Sequence, residues 1–171
     1  MNIETIQRTP HLRRFTVDDW RLYKSIRLEA LKTEAYYFAS TYTQEAGLSD
    51  VEWRDSLAHP DDRVCWGLYN GDECIGLTAI RKHPNYPGSM VLAASYIRRE
   101  YRGRGLSALF YQTRLNWARE HGYTDVYIAH RKGNDASRAA NQKFGFKYTH
   151  SESTVWPDGS TNDKLWYRLE L

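Results

Sequence analysis

Tyr101-Arg102-Gly103-Arg104-Gly105-Leu106-Ser107 lies between an apolar, strand-like run and an amphipathic, helix-like one. Strand, glycine-rich turn and helix together make an anion site from backbone alone. Glycines let the chain turn tightly enough for successive N–H groups to point at one spot. The helix behind them adds its unpaired first N–H groups and the positive end of its dipole. Arg102 and Arg104, inside the turn, add fixed positive charge. The ligand that suits such a turn is a phosphate or a pyrophosphate. A nucleotide-binding G-x-x-x-x-G-K-[ST] loop would need a lysine and a spacing absent here. A dinucleotide fingerprint would need three glycines early in a repeated βαβ fold, and this turn comes late.

Outward from the turn, residues 91–97 read as a strand and residues 106–120 as a helix. The helix should bury Leu106, Leu109, Phe110, Thr113 and Trp117, and Gly122 stops it. A strand over 126–130 follows. Next comes a helix over 135–144 with Ala136, Ala139, Ala140 and Phe144 on one face and Gly145 as its stop. Strands over 146–154 and 164–169 flank a turn at Trp156-Pro157-Asp158-Gly159. Upstream, strands over 64–69 and 74–81 are joined at Asn70-Gly71, a hairpin signal. Residues 12–15 form a short strand. A helix over about 20–32 buries Leu22, Ile26, Leu28, Ala30 and Leu31, and 36–40 is a loop. A second short helix over 49–57 is capped by Ser49, with Glu52 three residues on. This order gives a mixed α/β layer, helices packed on a sheet. The strands before and after the 106–120 helix should be parallel, since a helix crosses between them.

A chain of 171 residues suits one domain, 1–171, with a substantial core. Hydrophobic residues make up 41% and charged residues 26%, an ordinary globular balance. A net charge of +3, with basic and acidic residues mixed, argues against nucleic acid as a partner. Four arginines fall between Arg98 and Arg104, but pyrophosphate explains the glycine spacing better. The 13 Tyr and 6 Trp are enough to line a small-ligand pocket as well as a core. Cys65 and Cys74 sit in neighbouring strands and read as buried thiols of a reducing compartment. No metal-ligand spacing accompanies them, and no metal is expected. Met1 to Thr5 do not read as a signal peptide, and no apolar run reaches membrane-spanning length. A soluble cytoplasmic protein is the expectation.

The chain resembles the GCN5-related N-acetyltransferase (GNAT) superfamily across nearly its whole length. That family's acetyl-CoA signature, [Q/R]-x-x-G-x-[G/A], reads here Arg102-Gly103-Arg104-Gly105-Leu106-Ser107, with Ser in the last position. Ile97-Arg98-Arg99-Glu100-Tyr101 resembles the family's V-x-P-E-Y, with Arg99 in place of proline. The family's N-x-x-[A/S] followed by G-F appears as Asn134-Asp135-Ala136-Ser137 and Gly145-Phe146. The resemblance implies an α/β (α+β) fold: a mixed sheet with an antiparallel N-terminal meander, a central parallel pair splayed around acetyl-CoA, and helices on both faces. It implies acetyl-CoA as cosubstrate and direct attack by an amine in a ternary complex. The pyrophosphate would lie on the N–H groups from Gly103 to Ser107. Tyr96 and Ile97 would pair with the pantetheine arm, and Asn134 would touch it. Arg102, Arg104 and Arg138 are phosphate candidates. Many members are dimers, so a homodimer stays open.

Acetyl transfer asks for a polarised carbonyl, a deprotonated amine and a donor for the departing thiolate. In the family that donor is often a Tyr five residues before the Phe of the G-F pair. Here the position is Asn141, which can hydrogen-bond a sulfur but cannot give it a proton. Ser137 is a substitute donor, or a capping residue. His130 is a candidate base, or a structural histidine bonded to a neighbouring carbonyl. Tyr111 and Tyr148 could reach the cleft, and water alone could take the proton. Tyr36, Tyr37, Phe38 and Tyr42 are acceptor-side candidates, with Trp156 opposite. Glu45, Asp50 and Glu52 could attract an amine. The resemblance makes the expected acceptor a primary amine of a small molecule or a peptide, and the sequence leaves its identity open. An acyl-CoA-binding sensor without turnover is the alternative that the missing Tyr leaves standing.

Overall fold

The computed structural model describes residues 9–171; the N-terminal residues read above for a leader lie outside this range. Seven strands form one sheet: β1 (His11–Arg14), β2 (Arg63–Asn70), β3 (Glu73–Lys82), β4 (Ser89–Ile97), β5 (Asp125–Arg131), β6 (Lys147–Val155) and β7 (Thr161–Glu170). Their spatial order is β1-β2-β3-β4-β5-β7-β6. Every neighbouring pair is antiparallel except β4 and β5, which are parallel. The helices are α1 (Trp20–Thr33), α2 (Tyr42–Ala46), α3 (Asp50–Asp55), α4 (Ser107–Glu120) and α5 (Asp135–Lys143). Among the described residues, no helix is long and apolar enough to cross a membrane.

Alternation along the strands sends side chains to two cores. Cys65 and Tyr69 of β2 and Leu77 and Ala79 of β3 join Tyr23, Ile26 and Ala30 of α1 and Trp53 of α3. Val64 and Trp66 of β2 and Ile80 of β3 point the other way, to Tyr111, Leu115 and Ala118 of α4. Two-sided burial is why β2 and β3 are nearly continuous apolar runs. Ile26 is 2% exposed, and its burial stabilises the α1 layer by about 1.5–3 kcal/mol. Both cysteines are buried and free.

Local signals held. Ser49 caps α3, accepting from the Glu52 N–H, and the Glu52 carboxylate accepts from the Ser49 N–H. Several expected helix faces are rotated. Leu22 is exposed while Tyr23 and Arg27 are buried. In α4, Tyr111, Arg114, Leu115 and Ala118 join Phe110 and Trp117 as the buried set, and Leu106, Leu109 and Thr113 are only half-buried. In α5, Ala136 and Ala139 are exposed, and Asn141 is the buried residue. The stretch after α1 also holds more structure than a loop: a short turn of 3-10 helix at Ala35–Tyr37, then α2, capped by Thr41.

Candidate active site

The parallel pairing of β4 with β5 runs only from Ser89 opposite Asp125 to Leu92 opposite Ile128. Beyond Leu92 the two strands part. A bulge marks the place. Leu77 pairs with Tyr96 and Ala79 with Ala93, so Thr78 alone faces Ala94 and Ser95. Ala94 has φ of 54°, a left-handed conformation that costs an alanine on the order of 1–2 kcal/mol. Bulges bend a strand and end its pairing. Behind it, Gly76 keeps the contact close, because a Cβ there would run into the Tyr96 carbonyl oxygen.

Arg114 holds the bulge from α4. It is 1% exposed and has no carboxylate partner. Its Nη1 donates to the carbonyls of Ala79 and Ala93 at 3.3 and 3.4 Å and to Ser95 Oγ at 3.1 Å. Its Nε donates to the Phe110 carbonyl at 3.0 Å. Burial pulls its pKa down to about 10. The i, i+4, i+7 spacing of Phe110, Arg114 and Trp117 placed Arg114 on the buried stripe, but its charge disguised it.

β4 leads through Arg99–Tyr101 into the glycine turn. Gly103 and Gly105 both have φ of 74°, with open space where a Cβ would sit. Among the described residues, the N–H groups of Gly103 to Ser107 have no backbone acceptor. Successive N–H groups without backbone acceptors, at the start of a helix, are the pattern that suits an anion. The two arginines of the turn are placed differently from the phosphate contact expected of them. Arg102 donates to the Ile97 carbonyl at 2.7 Å and to Glu34 at 2.6 Å, so it faces α1. Arg104 donates to the Glu100 carbonyl and lies over the Tyr101 ring. Arg138 is exposed on α5.

Over the gap between β4 and β5, α4 and α5 are tied by one hydrogen bond. Tyr111 donates its hydroxyl to Asn141 Oδ1 at 2.6 Å. Asn141 is fully buried, and its Nδ2 has no partner. Asn134 caps α5, its Oδ1 accepting from the Ser137 N–H at 3.2 Å. The Ser137 side chain is half-buried. His130 is bonded on both sides. Its Nδ1–H donates to the Arg131 carbonyl at 2.8 Å, so Nε2 accepts from the Tyr167 hydroxyl at 3.2 Å. Tyr148, exposed, lies edge-on to Tyr167.

Two cavities flank the C-terminal turn of α1. One, of about 560 Å³, is lined by Glu29, Thr33, Glu34, Tyr96, Arg98 and Arg102 among others. Its charges are matched: Arg98 binds Glu29 at 2.8 Å, which holds the Glu29 carboxyl below its usual range, and Arg102 binds Glu34. The other, of about 490 Å³, lies between Leu31–Thr43, Arg131 and the β6–β7 turn. Tyr36 and Tyr42 line it. Phe38 does not; it packs into the α1 core beneath Arg27. Trp156 is also set back, 5% exposed, its Nε1 bonded to the Asn162 carbonyl. The carboxylates expected to draw an amine are spent elsewhere: Glu45 on Arg27, Glu52 on the α3 cap, and Asp50 near Lys24.

Arg131 was not anticipated. It is 4% exposed, with its guanidinium carbon 3.9 Å from the Tyr36 ring centre and 5.0 Å from that of Trp156. It donates to the Tyr36 carbonyl, Asp158 and Ser160. One side chain thereby clasps the segment after α1 to the β6–β7 turn.

A model of the acetyltransferase (GNAT) family matches residues 25–146, from α1 through the Gly145-Phe146 pair. The chain belongs to the GNAT acetyltransferase family. No curated protein matches it. Solved structures share the fold at low identity. The GNAT-family acetyltransferase from Streptococcus pneumoniae is 17% identical with a TM-score of 0.78, over 95% of this chain and 100% of that one. RimL, a ribosomal L7/L12 alpha-N-protein acetyltransferase solved with coenzyme A, is 14% identical with a TM-score of 0.78, over 99% and 97%. A putative acetyltransferase from Acinetobacter baylyi is 20% identical with a TM-score of 0.75, over 95% and 93%. Membership makes acetyl transfer from acetyl-CoA the activity to explain, and the GNAT fold accounts for the parted strands and the anion turn.

Proposed function

We propose that the protein is an N-acetyltransferase that moves the acetyl group of acetyl-CoA directly to the primary amine of a small molecule or peptide. The observation that carries this reading is the row of five unpartnered N–H groups at the start of α4, beside the place where β4 leaves β5. In it the CoA pyrophosphate lies on the turn, and the pantetheine arm enters between Tyr96-Ile97 and the end of β5. The amine attacks the thioester carbon, the C–N bond forms, and the C–S bond breaks. Asn141 Nδ2, the buried donor without a partner, serves the departing thiolate as a hydrogen-bond donor. It does not protonate it. The amine proton leaves to water, because both nitrogens of His130 are occupied.

Release of free CoA from acetyl-CoA with a panel of primary amines tests the reading. Asn141→Ala should lower kcat by about tenfold or more, as loss of a donor to developing charge does. His130→Gln should leave the pH–rate profile in place. Undiminished turnover in Asn141→Ala would remove its assigned role. Tight acetyl-CoA binding with no CoA release for any amine would favour the sensor reading, which the lack of a proton donor at Asn141 keeps in view.

A further inference from the structure

The cavity walled by Tyr36 and Tyr42 carries two cationic side chains, Lys32 and Arg131, against one carboxylate. That carboxylate, Asp158, is already engaged. It accepts from the Ser160 N–H at 2.9 Å, the Ser160 hydroxyl at 2.6 Å and Arg131 at 3.0 Å. An incoming ammonium would therefore compete with Arg131 and Ser160 for it. In the neighbouring cavity Glu29 and Glu34 are held by Arg98 and Arg102, and Glu100 lies beside Arg99.

The cations are in the opposite condition. Lys32, on the same wall, has no ion-pair partner among the described residues. Arg131 keeps an Nε–H that is buried and without an acceptor. A buried donor left unpaired is costly, and a ligand oxygen could satisfy it. Lys32 and Arg131 outweigh Asp158 by one positive charge, which a carboxylate on the ligand would offset. The rest of the wall combines the apolar Leu31, Ala35 and Pro157 and the two tyrosines with the hydroxyl residues Ser40, Thr41 and Thr43. Arg131 directly follows His130 at the end of β5, so an anion held there lies at the strand end where the acyl group is expected.

We infer that this cavity takes an acceptor bearing one carboxylate beside its primary amine: an amino acid or a close analogue, with its apolar side chain against Tyr36 and Tyr42. The inference rests on the acetyl-transfer reading and names the substrate class of that same site. Charge-assisted hydrogen bonds of this kind discriminate by about 10- to 100-fold.

The test uses matched pairs that differ only in the carboxylate: L-phenylalanine against 2-phenylethylamine, L-tyrosine against tyramine, L-leucine against 3-methylbutylamine. CoA release is measured for each with the full chain. The acid of a pair should exceed its decarboxylated partner in kcat/KM by at least about tenfold. Lys32→Ala, a surface change that spares the core, should shrink that ratio, and Lys32→Glu should reverse it. Equal or faster turnover of the decarboxylated members overturns this inference and leaves acetyl transfer standing. A ratio untouched by both Lys32 variants also overturns it. Turnover of no member of any pair, with acetyl-CoA bound, overturns it, and CoA release with the wider amine panel then decides the acetyl-transfer reading separately.

Discussion

The turn from Arg102 to Leu106 and the cavity walled by Tyr36, Tyr42 and Arg131 keep their shapes by different means. The turn is backbone: two glycines at positive φ, five free N–H groups and a helix end. Its two arginines point elsewhere, so its affinity for an anion does not depend on rotamers. The cavity is side chain: one buried guanidinium, stacked on rings from two remote segments, sets the distance between its walls. A site made of backbone tolerates sequence change as long as the conformation survives. A site made of side chains is retuned by a single substitution.

The sharpest way to break the contrast is Gly105→Val. A β-branched residue at φ of 74° should distort the turn and weaken CoA binding by about 100-fold in calorimetry. Near-normal binding would mean that side chains, not backbone, hold the pyrophosphate. Arg114→Met comes next. It strips the donor from the carbonyls of Ala79 and Ala93 and from Ser95 Oγ. A loss of about 2 kcal/mol in urea unfolding is expected, since buried acceptors are left unpaired. Unchanged stability would show that the bulge holds itself.

On the acceptor side, Asp158→Asn should raise acceptor KM by about fivefold, the scale of one exposed ion pair, and leave acetyl-CoA KM alone. The smallest effect is an absence of one. The Ser160 hydroxyl and N–H, with Arg131, hold the Asp158 carboxyl down to about 2. A lowered carboxyl loses its clasp only as pH falls from the ordinary carboxylate range toward that value. Acceptor KM should therefore show no titration from Asp158 between about pH 5 and 8. A break in that window that Asp158→Asn abolishes would misplace the clasp.

Much of the donor half was legible because its signals are local. Asn70-Gly71 turns the hairpin, Ser49 and Glu52 cap each other, and a helix between two strands fixes β4 parallel to β5. The acceptor half was only partly legible. Tyr36 and Tyr42 were found from their clustering, but Phe38 of the same cluster turned inward. Arg131 meets Tyr36 across 95 residues of chain and Ser160 across 29, and no periodicity in either segment announces that meeting. Arg114 went unread, and the burial of Asn141 unforeseen, for another reason. Hydrophobic patterning assigns polar residues to solvent, whereas remote groups bond Arg114 Nη1 and Asn141 Oδ1 in the interior.

The brevity of the β4–β5 pairing has a mechanical meaning. Strands β1 to β4 pair antiparallel among themselves, as do β5 to β7, and four residue pairs join the two sets within one sheet. Only the β1–β2 edge is as short. Opened by thermal fluctuation, the middle of the sheet should part at the β4–β5 seam, and the amides of Leu92 and Ile128 should report the opening by their exchange.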